Sequence, residues 1–181
     1  MLSGLQAVTN DINSGGEVNV PKDIAAIVER GMTCLDNVAY WGAPNATRSV
    51  IWTLLPGADE GKPDPQKTMQ ESMAIGERTG VRLPHAMNAV AAQASGDPAR
   101  IRAALRAYAA SVGEDKPVNA EYRLFNSMAS LMVRSVADRY WTENTGVRVA
   151  EGGYTSFWDE AADDGLGDLG IDLFGDEGSG N

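Results

Sequence analysis

Apolar residues recur along this chain at helical rather than alternating spacing. After Pro21, which suits a first helical turn, Ile24, Ile27, Val28, Leu35 and Val38 fall three, four or seven apart. Gly31 is placed to interrupt or end that helix. Trp41–Gly42–Ala43–Pro44 breaks the pattern, and Asn45 is a candidate N-cap for the next segment. Ser49–Leu55 satisfies a buried strand or a short buried helix, with helix preferred. The stretch PGADEGKPDP at 56–65 has the composition of a loop and ends on Asp64–Pro65, an N-cap and first-turn pair. The next helix should pass through Met69 and Met73 to Gly80, and another from Leu83–Pro84 through Met87, Val90, Ala91 and Ala94 towards Gly96. Asp97–Pro98 repeats the start signal for a helix through Val112, with Ile101, Leu105, Tyr108 and Val112 on one face. Asn119 caps the longest helix, over residues 120–143, whose apolar face is Phe125, Met128, Met132 and Val136, and Gly146 ends it. The expected fold is all-α: about six helices in a compact bundle over 21–150, an N-terminal arm over 1–20 and an acidic C-terminal tail over 151–181.

Composition limits what such a bundle can do. At 181 residues and 43% hydrophobic, the chain can bury a core and is too apolar for general disorder. No apolar run is long enough for a membrane span, and residues 1–16 lack a basic stretch followed by an apolar one, so no membrane partner and no secretory signal are expected. One cysteine (Cys34) and one histidine (His85) leave no disulfide framework and no zinc site of usual composition.

The net charge of −10 acquires meaning once it is located. Residues 151–181 hold nine carboxylates and no Lys or Arg, whereas 78–148 carry ten basic residues, nine of them Arg, against six acidic ones. A basic segment followed by an acidic tail can bind a polyanion locally.

Several motifs lose their apparent meaning in context. GLGDLG at 165–170 matches a dinucleotide fingerprint, but it has no preceding strand and lies among carboxylates, so it reads as spacer. The tail acids lack the spacing of a calcium loop. His85 has no Ser or Cys neighbour and reads as structural; Cys34 falls on the apolar face of the first helix and reads as a buried thiol. No acid, base and nucleophile gather, so neither enzyme activity nor a metal or cofactor is expected.

Arginine is the remaining signal. Arg102 and Arg106 are four apart on one helix, and Arg134 and Asp138 four apart on the longest, followed by Arg139, Tyr140 and Trp141. Guanidinium groups that take phosphate, beside rings that stack on bases, are the chemistry of single-stranded nucleic-acid binding. The plainer alternative is a surface ion pair at Arg134–Asp138 with Tyr140 and Trp141 closing the core.

The segments MNAVAAQASG at 87–96, ALRAYAASV at 104–112 and RSVADRYWTENTGVRVAEG at 134–152 resemble the core of flexible filamentous plant-virus coat proteins of the potexvirus and potyvirus types. Arg102 matches that family's helix-borne Arg and Asp138 its Asp, while 144–150 match the stretch that comes after it. Ala137 and Arg139 stand where the family carries aromatics. The resemblance implies an all-α subunit that polymerises helically around one RNA strand, with Arg102 and Asp138 lining the groove and Ser72 joining them. The expected function is a coat or nucleoprotein subunit, found in the virion and in the host cytoplasm before assembly. Arg102, Arg106, Arg134, Asp138, Arg139, Tyr140 and Ser72 are the candidate RNA contacts, and the arm is a link between subunits. Two alternatives stay open: a phage or bacterial assembly or adaptor protein that docks a partner through its acidic tail, and a small helical enzyme. The coat reading requires guanidinium groups from two helices to converge on one cleft.

Overall fold

The computed structural model describes residues 7, 10–11, 14–21, 23–113, 115–116, 118–150 and 153–160. Among them are six α-helices: α1 Asp23–Thr33, α2 Ala43–Leu54, α3 Pro65–Thr79, α4 Leu83–Ser95, α5 Pro98–Ser111 and α6 Arg123–Thr145, with a 3-10 turn at Ala120–Tyr122 before α6. The described residues form no strand. The fingerprint at 165–170, the remainder of the tail beyond 160 and most of residues 1–13 lie outside the described residues.

Local chemistry accounts for most of the boundaries. Asp64 and Asp97 cap α3 and α5 by accepting the Lys67 and Ala99 amides, each followed by Pro in the first turn. Gly80, Gly96 and Gly146 end α3, α4 and α6 in the left-handed conformation. Asn119 caps the 3-10 turn rather than α6 directly. The 49–55 stretch is helical, as the C-terminal part of α2. Asn45 sits inside α2; the cap position belongs to Gly42 at φ 82°, with Pro44 in the first turn. A side chain at Gly42 would run into the Ser72 carbonyl of α3, so only glycine lets α2 begin there. α1 passes through Gly31 and ends at Thr33, which leaves Leu35 and Val38 outside the helix and exposed. Cys34 also follows the helix and is exposed, correcting its expected burial.

The central element is α4, which packs on α2, α3, α5 and α6. Ala86, Ala89, Ala91 and Ala92 are buried on it, and these small side chains let four neighbours approach one helix. On one side, Ala86, Ala89 and Ala92 meet Ile101, Leu105 and Tyr108 of α5 and Ala129, Val133, Ala137 and Tyr140 of α6. On the other, Met87 and Ala91 meet Ala46 and Val50 of α2 and Met69 of α3. The buried face of α6 is therefore rotated from the expected one. Val136 is buried and Phe125 and Met132 partly so, but Met128 is 43% exposed, and Leu124 and Leu131 more so. Small Ala129, Val133 and Ala137 fit against the alanines of α4, and Asn126 turns inward because two backbone groups require it.

Those groups belong to a polar knot around Arg82, the residue before α4, which is 1% exposed. Its Nε donates to the Ser111 carbonyl (2.5 Å), Nη1 to that of Gly76 (3.1 Å) and Nη2 to that of Lys116 (3.0 Å). Ser111 and Gly76 lie in the last turns of α5 and α3, where the helix dipole favours a cation; the Gly76 carbonyl also accepts the Val81 amide (2.9 Å). The Arg82 amide donates to Asn126 Oδ1, and Asn126 Nδ2 donates to the Gly80 carbonyl. One residue, through its side chain and its backbone amide, thus ties the ends of α3 and α5 to the starts of α4 and α6. Replacing it takes the Arg82 donor from the buried Ser111 carbonyl, at roughly 1–3 kcal/mol, while Gly76 keeps the Val81 amide. Arg82→Met should lower unfolding free energy by about 1–3 kcal/mol in chemical denaturation, and Arg82→Lys, with no planar fork, by less.

His85 is buried one turn further along α4, with Nε2 3.3 Å from Glu77 Oε1, while Lys116 Nζ lies 3.1 Å from Glu77 Oε2. Burial pushes the imidazole down to about 4, against a smaller opposing pull from Glu77. The unfolded chain therefore takes up a proton at 85 near the ordinary 6.5 that the folded chain refuses until about 4. Stability falls as pH drops through that window, by about 3 kcal/mol when complete. Urea titrations between pH 6.5 and 5, above the carboxylate range, should show this slope, and His85→Gln should flatten it.

Candidate nucleic-acid interface

Between α5 and α6 lies the chain's own continuation. The two helices meet directly over only a short stretch, and Val149 and residues 153–160, which come after α6, pack over both. Phe157 is 3% exposed and belongs to the core formed by α4, α5 and α6, with Val149 and Tyr154 packed beside it. Polar contacts fix the path: the Val149 amide donates to Asp138 Oδ1 (3.2 Å), Trp141 Nε1 to the Gly153 carbonyl (3.0 Å), and Arg106 Nε to the Thr155 carbonyl (3.0 Å). The composition of 151–181 marks an acidic tail; Tyr154 and Phe157 within it instead pack into the folded body. Removing the Phe157 ring should leave a cavity that costs about 3 kcal/mol or more. Phe157→Ala should accordingly lower the thermal midpoint and expose 153–160 to limited proteolysis while the helical circular dichroism persists.

Arg102 and Arg106 project from one face of α5, as their spacing dictates. Arg102 Nε donates to the Tyr140 hydroxyl (2.8 Å), its Nη2 to Asp159 Oδ2 (2.8 Å), and its Nη1 lies 3.7 Å from Glu160 Oε1. Arg106 Nη2 pairs with the same Glu160 carboxylate. The Arg102 guanidinium sits 4.8 Å from the Phe157 ring centre and 5.2 Å from that of Trp158; Arg106 lies 5.0 Å from Phe157. Hydrogen bonds to Asp159 and then to Tyr140 hold the Arg102 guanidinium above its ordinary pKa. Conversely, the hydrogen bond from Arg102 lowers the Asp159 carboxyl, and that from Arg106 lowers Glu160. These carboxylates stay charged to lower pH than free ones, so the contact is complete at neutral pH. It weakens as pH falls below the ordinary carboxylate values of 3.8 and 4.5 towards the lowered ones.

The other candidates separate from this pair. Tyr140 is 5% exposed; its ring serves the core and its hydroxyl serves Arg102. Arg134, Asp138 and Arg139 lie on a shallow open groove along α6 that also takes in Ser135, Thr142 and Arg148. Arg134 is 3.9 Å from Asp138, and Arg139 is 2.7 Å from Glu143, both one helical turn away. Arg148 is exposed and forms no ion pair among the described residues. Ser72 joins neither group: it is fully buried on α3, donates to the Thr68 carbonyl (2.8 Å) and lines no groove with the arginines, so it cannot contact a strand there. The expected single cleft is thus two patches, one filled by 157–160 and one open, and the fold-back segment touches both through Asp138 and Arg102.

Sequence reasoning missed Phe157, Asp159 and Glu160 as partners of this site. The available signal was the cluster Tyr154, Phe157 and Trp158, apolar anchors placed immediately before the composition turns to Asp and Gly. Among the described residues, no helix is long and apolar enough to cross a membrane and no three His, Cys, Asp or Glu side chains could hold a metal ion. Compared with models of protein families, with curated proteins and with solved structures, the chain matches none.

Proposed function

We propose that this chain is a structural subunit that self-assembles helically and holds single-stranded RNA against the arginines of α5 and α6, as a coat protein or nucleoprotein does inside a virion. The observation that carries the reading is the Arg102–Arg106 pair, whose guanidinium groups already grip two carboxylates beside the Tyr140, Phe157 and Trp158 rings. Paired guanidinium forks suit phosphate oxygens as they suit carboxylates, and exposed rings suit unstacked bases. Trp158 is 37% exposed and can offer a face to a base. Arg134, Arg139 and Arg148 on the neighbouring groove extend the positive surface for a strand leaving the pair. Contacts of this kind carry little sequence preference and weaken with salt.

Self-assembly draws support from the outer face of α6. Leu124, Met128 and Leu131 fall four and three apart and are 66%, 43% and 68% exposed, an apolar stripe flanked by Arg123 and Arg134. A second copy of the chain is the proposed occupant, because a polymer must bury some such surface on each subunit. Weak binding per subunit then sums along the strand through effective concentration.

The test is fluorescence anisotropy with labelled oligouridylate across a salt series, together with negative-stain microscopy. The expected result is salt-sensitive binding with rods or rings in the presence of RNA. Arg134→Ala and Arg148→Ala should each reduce the slope of log affinity against log salt by about 0.7 without unfolding the subunit. Leu124→Glu with Leu131→Glu should abolish polymers and leave a folded monomer. A monodisperse small particle that ignores oligouridylate at low salt contradicts the proposal.

A further inference from the structure

We infer that Asp159 and Glu160 are built-in occupants of the phosphate site on α5, a clasp that an RNA strand must displace. The inference rests on the reading that this surface binds a single polynucleotide strand, and adds how access to it is controlled.

The contact divides into an anchor and a removable end. Phe157 is buried in the core, whereas Asp159 is half exposed and the Glu160 side chain 35% exposed. Residues 157–160 form a local turn, with the Glu160 amide on the Phe157 carbonyl (3.0 Å) and the Phe157 amide on Glu160 Oε2 (3.1 Å). Opening this turn at Trp158 frees both carboxylates while Phe157 keeps its place. What the opening loses is the two hydrogen bonds of the turn, the Trp158 contacts with Tyr140 and Trp141, and ion pairs that on a surface are worth little each and are weakened by salt. What it uncovers is a pair of guanidinium groups one helical turn apart, their remaining partners being the Tyr140 hydroxyl and the Thr155 carbonyl.

The carboxylates that stand on the site define its ligand chemistry. A carboxylate presents two acceptor oxygens to a guanidinium fork, and a phosphodiester presents two non-bridging oxygens in much the same way. Two adjacent acids reproduce, in protein, successive negative groups along a strand. Polynucleotide phosphates can exchange with them one for one, and the carboxylates that leave join a segment rich in like charge, six further acids lying between 161 and 181. A subunit without RNA therefore keeps its arginines neutralised, and one with RNA releases its acidic end.

The test compares the full chain with the Asp159→Asn, Glu160→Gln double variant, using fluorescein-labelled oligouridylate at low salt. Hydrogen exchange at the 157–160 amides of the wild-type chain, with and without oligouridylate, is the second measurement. The expected results are about tenfold tighter binding by the variant, because the competing occupant is gone, and faster exchange of the Glu160 amide in wild type when oligouridylate is added. If wild type binds but the variant binds equally or more weakly, and RNA leaves or increases protection at 157–160, the clasp is overturned and the RNA reading stands. If neither protein binds oligouridylate, the RNA reading itself fails and the clasp falls with it. The exchange measurement needs no variant, so a misfolded double mutant would not spare the inference.

Discussion

A buried arginine that donates to three backbone carbonyls organises this bundle. Arg82 delivers three donors to carbonyls at or beyond the ends of α3 and α5, and its own amide engages Asn126 of α6. Burial disfavours the charge, and lowers the pKa of this guanidinium, yet the fork finds an acceptor for every nitrogen that points inward. The consequence reaches the other end of the same helices. With α5 held at Ser111 and α6 at Asn126, Arg102 and Tyr140 come within a hydrogen bond of each other near the opposite ends of α5 and α6. The site on the surface is thus positioned by a polar knot in the interior.

Charge separation along the chain becomes a physical contact in the fold. The acidic and basic regions look like two independent features in sequence, and a net charge of −10 hides both. Folding brings Asp159 and Glu160 onto the arginine pair of α5, and Phe157 secures the approach. Such a contact has two effects. It closes the gap between α5 and α6, and it holds the Arg102 and Arg106 guanidinium groups side by side against carboxylates.

Much of the architecture was legible because it depends on local chemistry. Asp64–Pro65, Asp97–Pro98, Gly80, Gly96 and Gly146 mark boundaries through capping geometry that needs no tertiary partner. What sequence could not show was set by packing between elements. Met128 and Val133 are comparably apolar, but only a small face on α6 fits the alanines of α4, so the helix turns its larger residues outward. Asn45 loses the cap of α2 to Gly42 because the Ser72 backbone approaches too closely for a side chain. In the candidate site, helical spacing correctly joined Arg102 to Arg106. It could not reveal that Ser72 turns into the core, or that a residue more than fifty positions on would supply the counter-charge.

The proposed role turns on where a polynucleotide strand meets the body of this protein. Ultraviolet crosslinking of labelled oligouridylate to the full chain, with peptide mapping of the adducts, asks that directly, because aromatic rings stacked on bases are the groups that crosslink. The expected crosslinked peptides come from the α5 face around Arg102 and Arg106 and from residues 134–158, with Trp158 as the principal adduct. Crosslinks confined to the α1–α3 side of the bundle, or none under conditions where the protein retains RNA, would contradict that role.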